Sequence, residues 1–302
     1  MRKVLHTHLQ PKATQEYEPL QMSEAKNMVL NILDDPSKFL NHTGRELKRG
    51  YEISKRIHTS QLNRVKQQMQ SNVDVGPSFA KYALENRHRH DLTELEIAFL
   101  AGAFFGGGSG TIAAAICTVL MAAAYFPEEQ GKVQAELDED IGRHKAPTLA
   151  DQESLPCLQA LISEALVAPD GLAHRTTKDE NYCIPAGTTV FISHWAISRD
   201  PEVYPDPDEF KPQRWINDQG YLRDDLKSFV FGFGRRVCPA QDVANRSVFI
   251  TSLLILWAFQ LTLDPTKPLD DMGFLNGNYR PCSIEFRMRI SETELRRIME
   301  IY

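Results

Sequence analysis

Residues 231–241 read FGFGRRVCPAQ and place one thiol, Cys238, between a glycine-rich turn and an apolar run. Backbone N–H groups at the start of a helix, together with the positive end of its dipole, favour an anion there. A thiol in that position is shifted toward thiolate. Gly232 and Gly234 allow backbone conformations closed to other residues, so the loop can turn tightly around a bulky group.

Three interpretations of Cys238 are open on these eleven residues. It is a structural cysteine in a loop, a cysteine nucleophile, or a lone thiolate ligand to haem iron with Arg236 pairing a propionate. The nucleophile needs a partner base, and none of the nine histidines stands in a motif that supplies one. Arg235 and Arg236 offer fixed cations for nearby carboxylates.

Length, charge and cysteine pattern narrow the class of protein. The 302 residues can bury a sizeable core as one large domain or two modest ones, and the net charge of −6 argues against nucleic acid as a partner. The five cysteines are scattered and never form C-x-x-C, which argues against a disulfide framework and structural zinc and favours a reducing compartment. The first twelve residues contain no apolar h-region, so no signal peptide is predicted.

The longest apolar stretch, 97–126, contains no charged residue and predicts a helix with Asp91 or Thr93 as its N-cap. By length it qualifies as a membrane span. Five glycines within GAFFGGGSGT each weaken a helix by about 1 kcal/mol. A helix that is apolar all round is equally typical of the centre of a large soluble protein, and this interpretation is preferred.

The remaining pattern predicts a mainly helical fold with a small β part. Pro-Ala-Gly and its neighbours predict strands and turns between 169 and 189, and four prolines in 199–216 exclude a regular helix there. The tail, 264–302, predicts turns and one strand over CSIEFRMRI. Further helices are predicted over 1–40, 46–70, 128–143, about 158–167, and from about 241 through the uncharged run 248–263.

The loop resembles a known family signature. FGFGRRVCP is similar to the F-x-x-G-x-R-x-C motif of cytochrome P450 monooxygenases, at Phe231, Gly234, Arg236 and Cys238. The family usually has glycine two residues after the cysteine, where this chain has Ala240. FKPQRW resembles the family's P-E-R-F segment, and its arginine is Arg214.

Three further segments extend the resemblance. AGAFFGGGSGTI resembles the oxygen-activating helix of fungal members, with Thr111 as its hydroxyl residue. HRTT resembles the region where members place a propionate contact, which makes His174 a candidate. RKVLHTHLQP resembles the helix whose arginine meets a haem propionate, and Arg2 would be that residue.

The resemblance implies a haem-thiolate fold. Residues 1–302 would form one partial domain, and the resemblance is best over residues 91–290. Cys238 would be the axial iron ligand. The implied reaction inserts one oxygen atom of O2 into a small apolar substrate, with electrons from NADPH through NADPH–cytochrome P450 reductase, as in fungal secondary metabolism or xenobiotic oxidation. It also implies an intracellular site, at the cytoplasmic face of the endoplasmic reticulum for a full-length member. The membrane anchor would precede residue 1, so membrane association is expected only through a segment missing here.

The chain departs from the family pattern at several positions. Glu164 stands where the E-x-x-R motif begins, but Val167 occupies the place of its arginine. Gly110 replaces the acid that precedes Thr111, and Ile112 replaces a second threonine, so slow or poorly coupled oxygen activation is expected.

The sequence is also shorter than the pattern demands. It looks short by several residues after EAL, and again between NHTGR and ELKRGYEISKR, where helices that roof the substrate pocket are expected. A truncated gene model or an unusual splice form would explain the gaps. The alternative to an active enzyme is a non-catalytic remnant that binds haem weakly or not at all.

Overall fold

The computed structural model of the chain describes residues 18–36, 51–71, 76–167, 172–174, 191–226, 229–232, 234–267 and 283–301. The helices in these ranges are α1 (Glu18–Asp34), α2 (Tyr51–Gln70), α3 (Phe79–Glu85), α4 (Arg87–His90), α5 (Glu94–Tyr125), α6 (Pro127–Asp140), α7 (Pro156–Val167), α8 (His194–Ser198), α9 (Gln241–Ala258) and α10 (Glu292–Ile301). The strands are β1 (Leu172–His174), β2 (Phe191–Ser193), β3 (Phe259–Leu263) and β4 (Ile284–Met288). Antiparallel pairs β1–β2 and β3–β4 form two small sheets, and the prediction of a mainly α fold with a small β part is confirmed.

Helix α5 begins at a reciprocal cap. The Glu96 N–H donates to the Thr93 hydroxyl at 3.2 Å, and the Thr93 N–H donates to the Glu96 carboxylate at 2.8 Å. Two N–H groups that the helix leaves unpaired are thereby satisfied. Of the two predicted caps, the structure selects Thr93.

The two halves of α5 lie in different surroundings. Its C-terminal half lies in the main core, where Ile116, Val119 and Leu120 are buried. In the N-terminal half α2 packs so closely that a Cβ on Gly102 would overlap the His58 ring. Among the described residues, α5 alone is long and apolar enough to cross a membrane, and 39% of its most apolar window is buried.

Helix α9 is the second long apolar element, and its residues 248–258 are all buried. The uncharged run continues to Leu263, but the helix ends at Ala258 and β3 follows at once. Side chains from other parts of the chain form hydrogen bonds with the backbone where α9 ends and β3 begins. Gln130 of α6 exchanges two hydrogen bonds with Leu261, at 2.9 and 2.7 Å, and Arg289 donates to the Trp257 carbonyl at 2.9 Å. The prediction of a helix through residue 263 is therefore wrong in its last five residues.

Other predicted elements differ in their bounds. Helix α6 ends at Asp140 rather than 143, because Gly142 takes a left-handed φ of +77° and donates its N–H back to Leu137. The tail contains α10, a helix, in addition to the predicted strand. Its buried face of Leu295, Ile298 and Met299 belongs to the main core.

The start of α7 is capped by a side chain from α6. The Glu136 carboxylate accepts the N–H groups of Cys157 and Leu158 at 2.7 and 3.0 Å. Burial raises the pKa of Glu136, and the two N–H groups partly offset that cost. Because α7 also presents Glu164, this contact helps to set the position of the site described below.

Cys157 should be almost inert toward iodoacetamide in the folded chain. Burial, reinforced by the negative charge of Glu136, raises the pKa of its thiol to about 12. Compared with an ordinary thiol of pKa about 8.5, the thiolate fraction at pH 8 falls by about three orders of magnitude. Mass spectrometry after timed alkylation, with a urea-unfolded sample as control, measures the ratio. Equal modification rates in the two samples would show that α7 is not seated on Glu136.

Candidate functional site

The loop that carries Cys238 folds back on itself just before α9. The Cys238 N–H donates to the Phe231 carbonyl at 2.9 Å, and the Gly232 N–H donates to the Phe229 carbonyl at 2.8 Å. Gly232 and Gly234 have φ values of +70° and +63°, a left-handed conformation that glycine adopts without strain. The two glycines thus give the tight turn expected from the sequence.

Cys238 and Phe231 are both half-buried in this loop. Ala240 forms the N-cap position of α9 without a side-chain hydrogen bond, and Asp242 places one carboxylate in the first turn of the helix. An anion two residues upstream lies close to that end of the dipole. Cys238 stands two residues before that N-cap position, at the N-terminal end of α9.

Three residues are candidate partners of the haem propionates, and the structure describes the backbone of two of them and nothing of the third. Arg236 lies in a short 3-10 turn, Gly234–Arg236, two residues before the cysteine, and its side chain lies outside the described residues. His174 ends strand β1, pairing with Phe191 of β2, and its side chain is likewise outside the description. Arg2 lies wholly outside the described residues. Their roles therefore stay predictions.

Thr111 lies on an exposed part of α5, and its hydroxyl donates to the Gly107 carbonyl at 2.6 Å. A hydroxyl that donates in this way can still accept a hydrogen bond, for example from a water molecule. Gly110 next to it contributes no acid. The hydroxyl can therefore hold a water molecule, but the residue that precedes it, Gly110, has no carboxylate to supply protons.

Glu164 and Arg214 form a buried ion pair between α7 and the 3-10 turn Pro212–Trp215. Arg214 Nε lies 3.1 Å from both Glu164 carboxylate oxygens, and the two side chains are 5% and 8% exposed for arginine and glutamate respectively. The same carboxylate accepts the Lys211 N–H at 2.8 Å and the Trp215 indole N–H at 2.8 Å. The buried charge is thus fully hydrogen-bonded, as such a charge must be.

On its other side, the guanidinium of Arg214 donates hydrogen bonds to backbone carbonyls of the segment that precedes it. Its Nη atoms donate to the carbonyls of Pro205, Asp206 and Glu209, the last two at 2.9 and 2.7 Å. Arg214 therefore ties the proline-rich segment to α7 as well as pairing Glu164.

Val167 occupies the position where the family pattern has arginine, and it packs in an apolar cluster. That cluster contains Tyr204 and Trp215, with Ala160 and Leu226. Trp215 thereby contributes an apolar ring to the cluster and an indole donor to Glu164. Sequence reasoning missed this second role, although a tryptophan directly after Arg214 was visible.

The donor set fits haem. Among the described ranges, no group of three or more histidine, cysteine or acidic side chains could hold a bare metal ion. A metal bound by Cys238 alone must bring its own equatorial ligands, which a porphyrin does. On α5, a Cβ on any of Gly106, Gly107 and Gly108 would meet nothing within 4 Å, so this part of the helix surface is open.

Comparison with known proteins gives a match that includes the Cys238 loop and the Glu164–Arg214 pair. A family model described as Cytochrome P450 matches residues 4–280. The chain is 39% identical to Cytochrome P450 monooxygenase 113 and 38% identical to Cytochrome P450 monooxygenase 64, both of Postia placenta; each alignment covers 97% of this chain and 73% of the relative. It is 34% identical to Cytochrome P450 monooxygenase ARMGADRAFT_1018420 of Armillaria gallica, over 85% of this chain and 52% of that protein.

The alignments also bear on the predicted gaps. Those with both Postia placenta proteins run over 362 residues, more than the 302 residues of this chain. The relatives therefore contain stretches without a counterpart here.

Proposed function

Since this chain belongs to the cytochrome P450 family, a family of haem-thiolate enzymes, we propose that it inserts one oxygen atom of O2 into an apolar organic substrate with Cys238 as the iron ligand. The observation that carries the proposal is the Cys238 loop, with its two left-handed glycines and its bond to Phe231. When bound, haem supplies the redox chemistry, and a cysteine thiolate pushes electron density that favours O–O cleavage.

The other candidate residues would divide the remaining tasks. Arg236, His174 and Arg2 would pair the propionates, while Phe231 and Gly234 shape the loop. Thr111 holds a water molecule at the oxygen side of the site. Glu164 and Arg214 support the scaffold by holding α7 against the segment that leads to the loop.

The partners follow from the family. A redox partner reductase and an organic substrate are implied by membership. We propose NADPH–cytochrome P450 reductase as the electron donor, a role in fungal secondary metabolism, and a place at the cytoplasmic face of the endoplasmic reticulum. We further propose that residues 1–302 form one domain.

One observation favours a second candidate, a P450 that binds haem but turns over poorly. Gly110 leaves the Thr111 hydroxyl without an acid, and that hydroxyl is engaged with the Gly107 carbonyl. Proton delivery from a positioned group contributes typically 10²–10⁴-fold in rate. Its loss leaves reduced oxygen to escape rather than to react with substrate.

Gly110→Asp should restore coupling between electron use and oxygen transfer. We expect hydrogen peroxide released per NADPH consumed to fall severalfold, because a carboxylate beside Thr111 relays protons near neutral pH. The measurement uses the purified chain with reductase, and Gly110→Asn serves as the size-matched control without an acid. Equal peroxide yields for the aspartate and asparagine variants would remove Gly110 as the cause of poor coupling.

A further inference from the structure

A surface groove between α7 and α9 uses none of the residues assigned to the proposed reaction. It is bordered by the 3-10 turn Leu149–Ser154, the start of α7, the loop residues Tyr221 and Leu222, and Arg246 of α9. We name it the α7–α9 groove. Its volume is about 560 Å³, within the range of about 300–1,000 Å³ that pockets for small molecules have.

The most exposed side chain of the groove is that of Tyr221, which is 66% exposed. Its turn is fixed by two hydrogen bonds: the Asn217 N–H donates to the Tyr221 carbonyl at 2.8 Å, and the Tyr221 N–H donates to the Asn217 side-chain oxygen at 3.0 Å. No described residue forms a hydrogen bond with the Tyr221 hydroxyl or stacks on its ring. The backbone that carries the ring is therefore set before a ligand binds, and the ring stays available.

The other polar side chains of the groove offer hydrogen-bond donors and acceptors close together. Gln152 Nε2 lies 3.2 Å from Gln159 Oε1, and Gln159 Nε2 donates to the Gln152 carbonyl at 2.7 Å. The side-chain oxygen of Gln152 and the carboxylate of Glu153 accept no hydrogen bond from the part of the chain that the structure describes. Arg246 adds guanidinium N–H donors to the same lining.

The charges of the groove favour a neutral ligand. Arg246 is the only cation of the lining, and its Nη2 already donates to the Glu18 carboxylate of α1 at 2.8 Å. Glu153 is the only acidic residue of the lining, and it is exposed. An anionic ligand would have to compete with Glu18 for the guanidinium. A cationic ligand would share the groove with that guanidinium and be repelled by it.

The mixture of groups selects among neutral ligands. An apolar molecule would cover the amides and the guanidinium without forming hydrogen bonds, which is costly. A sugar carries hydroxyls that each donate and accept, so it can pair with donors and acceptors that lie side by side. The C–H face of a sugar ring is apolar and packs on an aromatic ring such as that of Tyr221. Leu149 and Leu222 supply further apolar surface.

We propose that the α7–α9 groove binds a neutral sugar of disaccharide size. One sugar ring stacks on Tyr221, and the hydroxyls bond to Gln152, Glu153 and Arg246. The site is independent of haem and of the proposed reaction, because no lining residue belongs to the thiol loop or to the buried ion pair. It gives the chain a second binding site for a small molecule.

Saturation-transfer difference NMR on the purified haem-loaded chain tests the proposal with cellobiose and maltose as probes. We expect saturable transfer to the ring protons of at least one disaccharide, and severalfold weaker binding of glucose, which fills less of the groove. Glucuronate and glucosamine, one anionic and one cationic, should bind no more tightly than glucose. Absence of transfer to both disaccharides, or tighter binding of either charged sugar, would overturn the proposal.

Three substitutions locate the bound sugar. Tyr221→Ala removes the stacking ring from an exposed position and should weaken binding at least about tenfold, as for a tyrosine central to a binding surface. Ala150→Trp places an indole in the groove at an exposed residue of its lining and should abolish binding. Tyr125→Ala removes a tyrosine that is 54% exposed at the end of α5 and should change nothing.

Melting curves confirm that the three variants are folded before binding is compared. Wild-type affinity in folded Tyr221→Ala contradicts the proposal. So does an equal loss of affinity in Tyr221→Ala and Tyr125→Ala, because the sugar would then not be held at the groove.

Discussion

Replacing Glu164 by alanine should destabilise the chain by about 3–5 kcal/mol, because it leaves the Arg214 guanidinium buried without its counter-charge. The arginine side chain is only 5% exposed, so water cannot replace the lost carboxylate. Lys211 and Trp215 would lose an acceptor at the same time. Against a whole-domain stability of about 5–15 kcal/mol, this is a large fraction. Urea unfolding followed by far-UV circular dichroism measures it.

A double-mutant cycle separates the pair from its surroundings. Arg214→Ala should cost a comparable amount, and the double variant should cost less than the sum, because removing both charges leaves neither unpaired. Arg297→Ala removes a guanidinium from an exposed pair with Glu294 and should have a far smaller effect. Additive single effects, or a Glu164→Ala effect no larger than that of Arg297→Ala, would show that the buried pair does not support the fold.

Replacing Cys238 by alanine should remove haem from the purified chain. Losing even an outer-shell partner of a ligand costs about 10–100-fold in metal affinity, so losing the ligand itself should lower haem per chain by at least about tenfold. The pyridine haemochrome assay, divided by protein concentration, gives the ratio.

The matched control is Cys157→Ala. Both cysteines are half-buried, but Cys157 packs at the start of α7 against Glu136 and has no place in the proposed site. It should therefore keep haem at the wild-type ratio. Equal haem content in the Cys238 and Cys157 variants would assign the iron ligand to another residue.

Local sequence signals predicted the elements that local interactions determine. Thr93 was one of the two residues predicted to cap α5, and its partner Glu96 lies only three residues further on. The turn at Gly232 and Gly234 was visible because glycine tolerates positive φ. Helix α9 was visible from its apolar run beyond Gln241, and its start was placed correctly.

The features that the sequence did not predict depend on contacts between residues that are far apart along the chain. The change from α9 to β3 falls inside one uncharged run, and the groups that pair its backbone come from Gln130 and Arg289, far along the chain. Capping of α7 by Glu136 is likewise a contact between two helices. A pattern of apolar residues cannot distinguish a buried helix from a buried strand without such partners.

In the candidate site, motif spacing indicated the residues but not all of their contacts. The register of Glu164 and Arg214 suggested that they could meet, and the two side chains do lie together. The indole of Trp215 and the N–H of Lys211 complete the carboxylate's partners, and no spacing rule predicts either. A side chain's remaining hydrogen-bond partners depend on how the whole segment packs against α7.

We propose that this chain holds haem through the Cys238 thiolate despite the segments that its relatives have and it lacks. The carbon monoxide difference spectrum of the dithionite-reduced chain tests it most directly. We expect a Soret band at the position of thiolate-ligated haem, absent in Cys238→Ala. A band only at the position of imidazole or water ligation, or no haem in the purified chain, would contradict the claim.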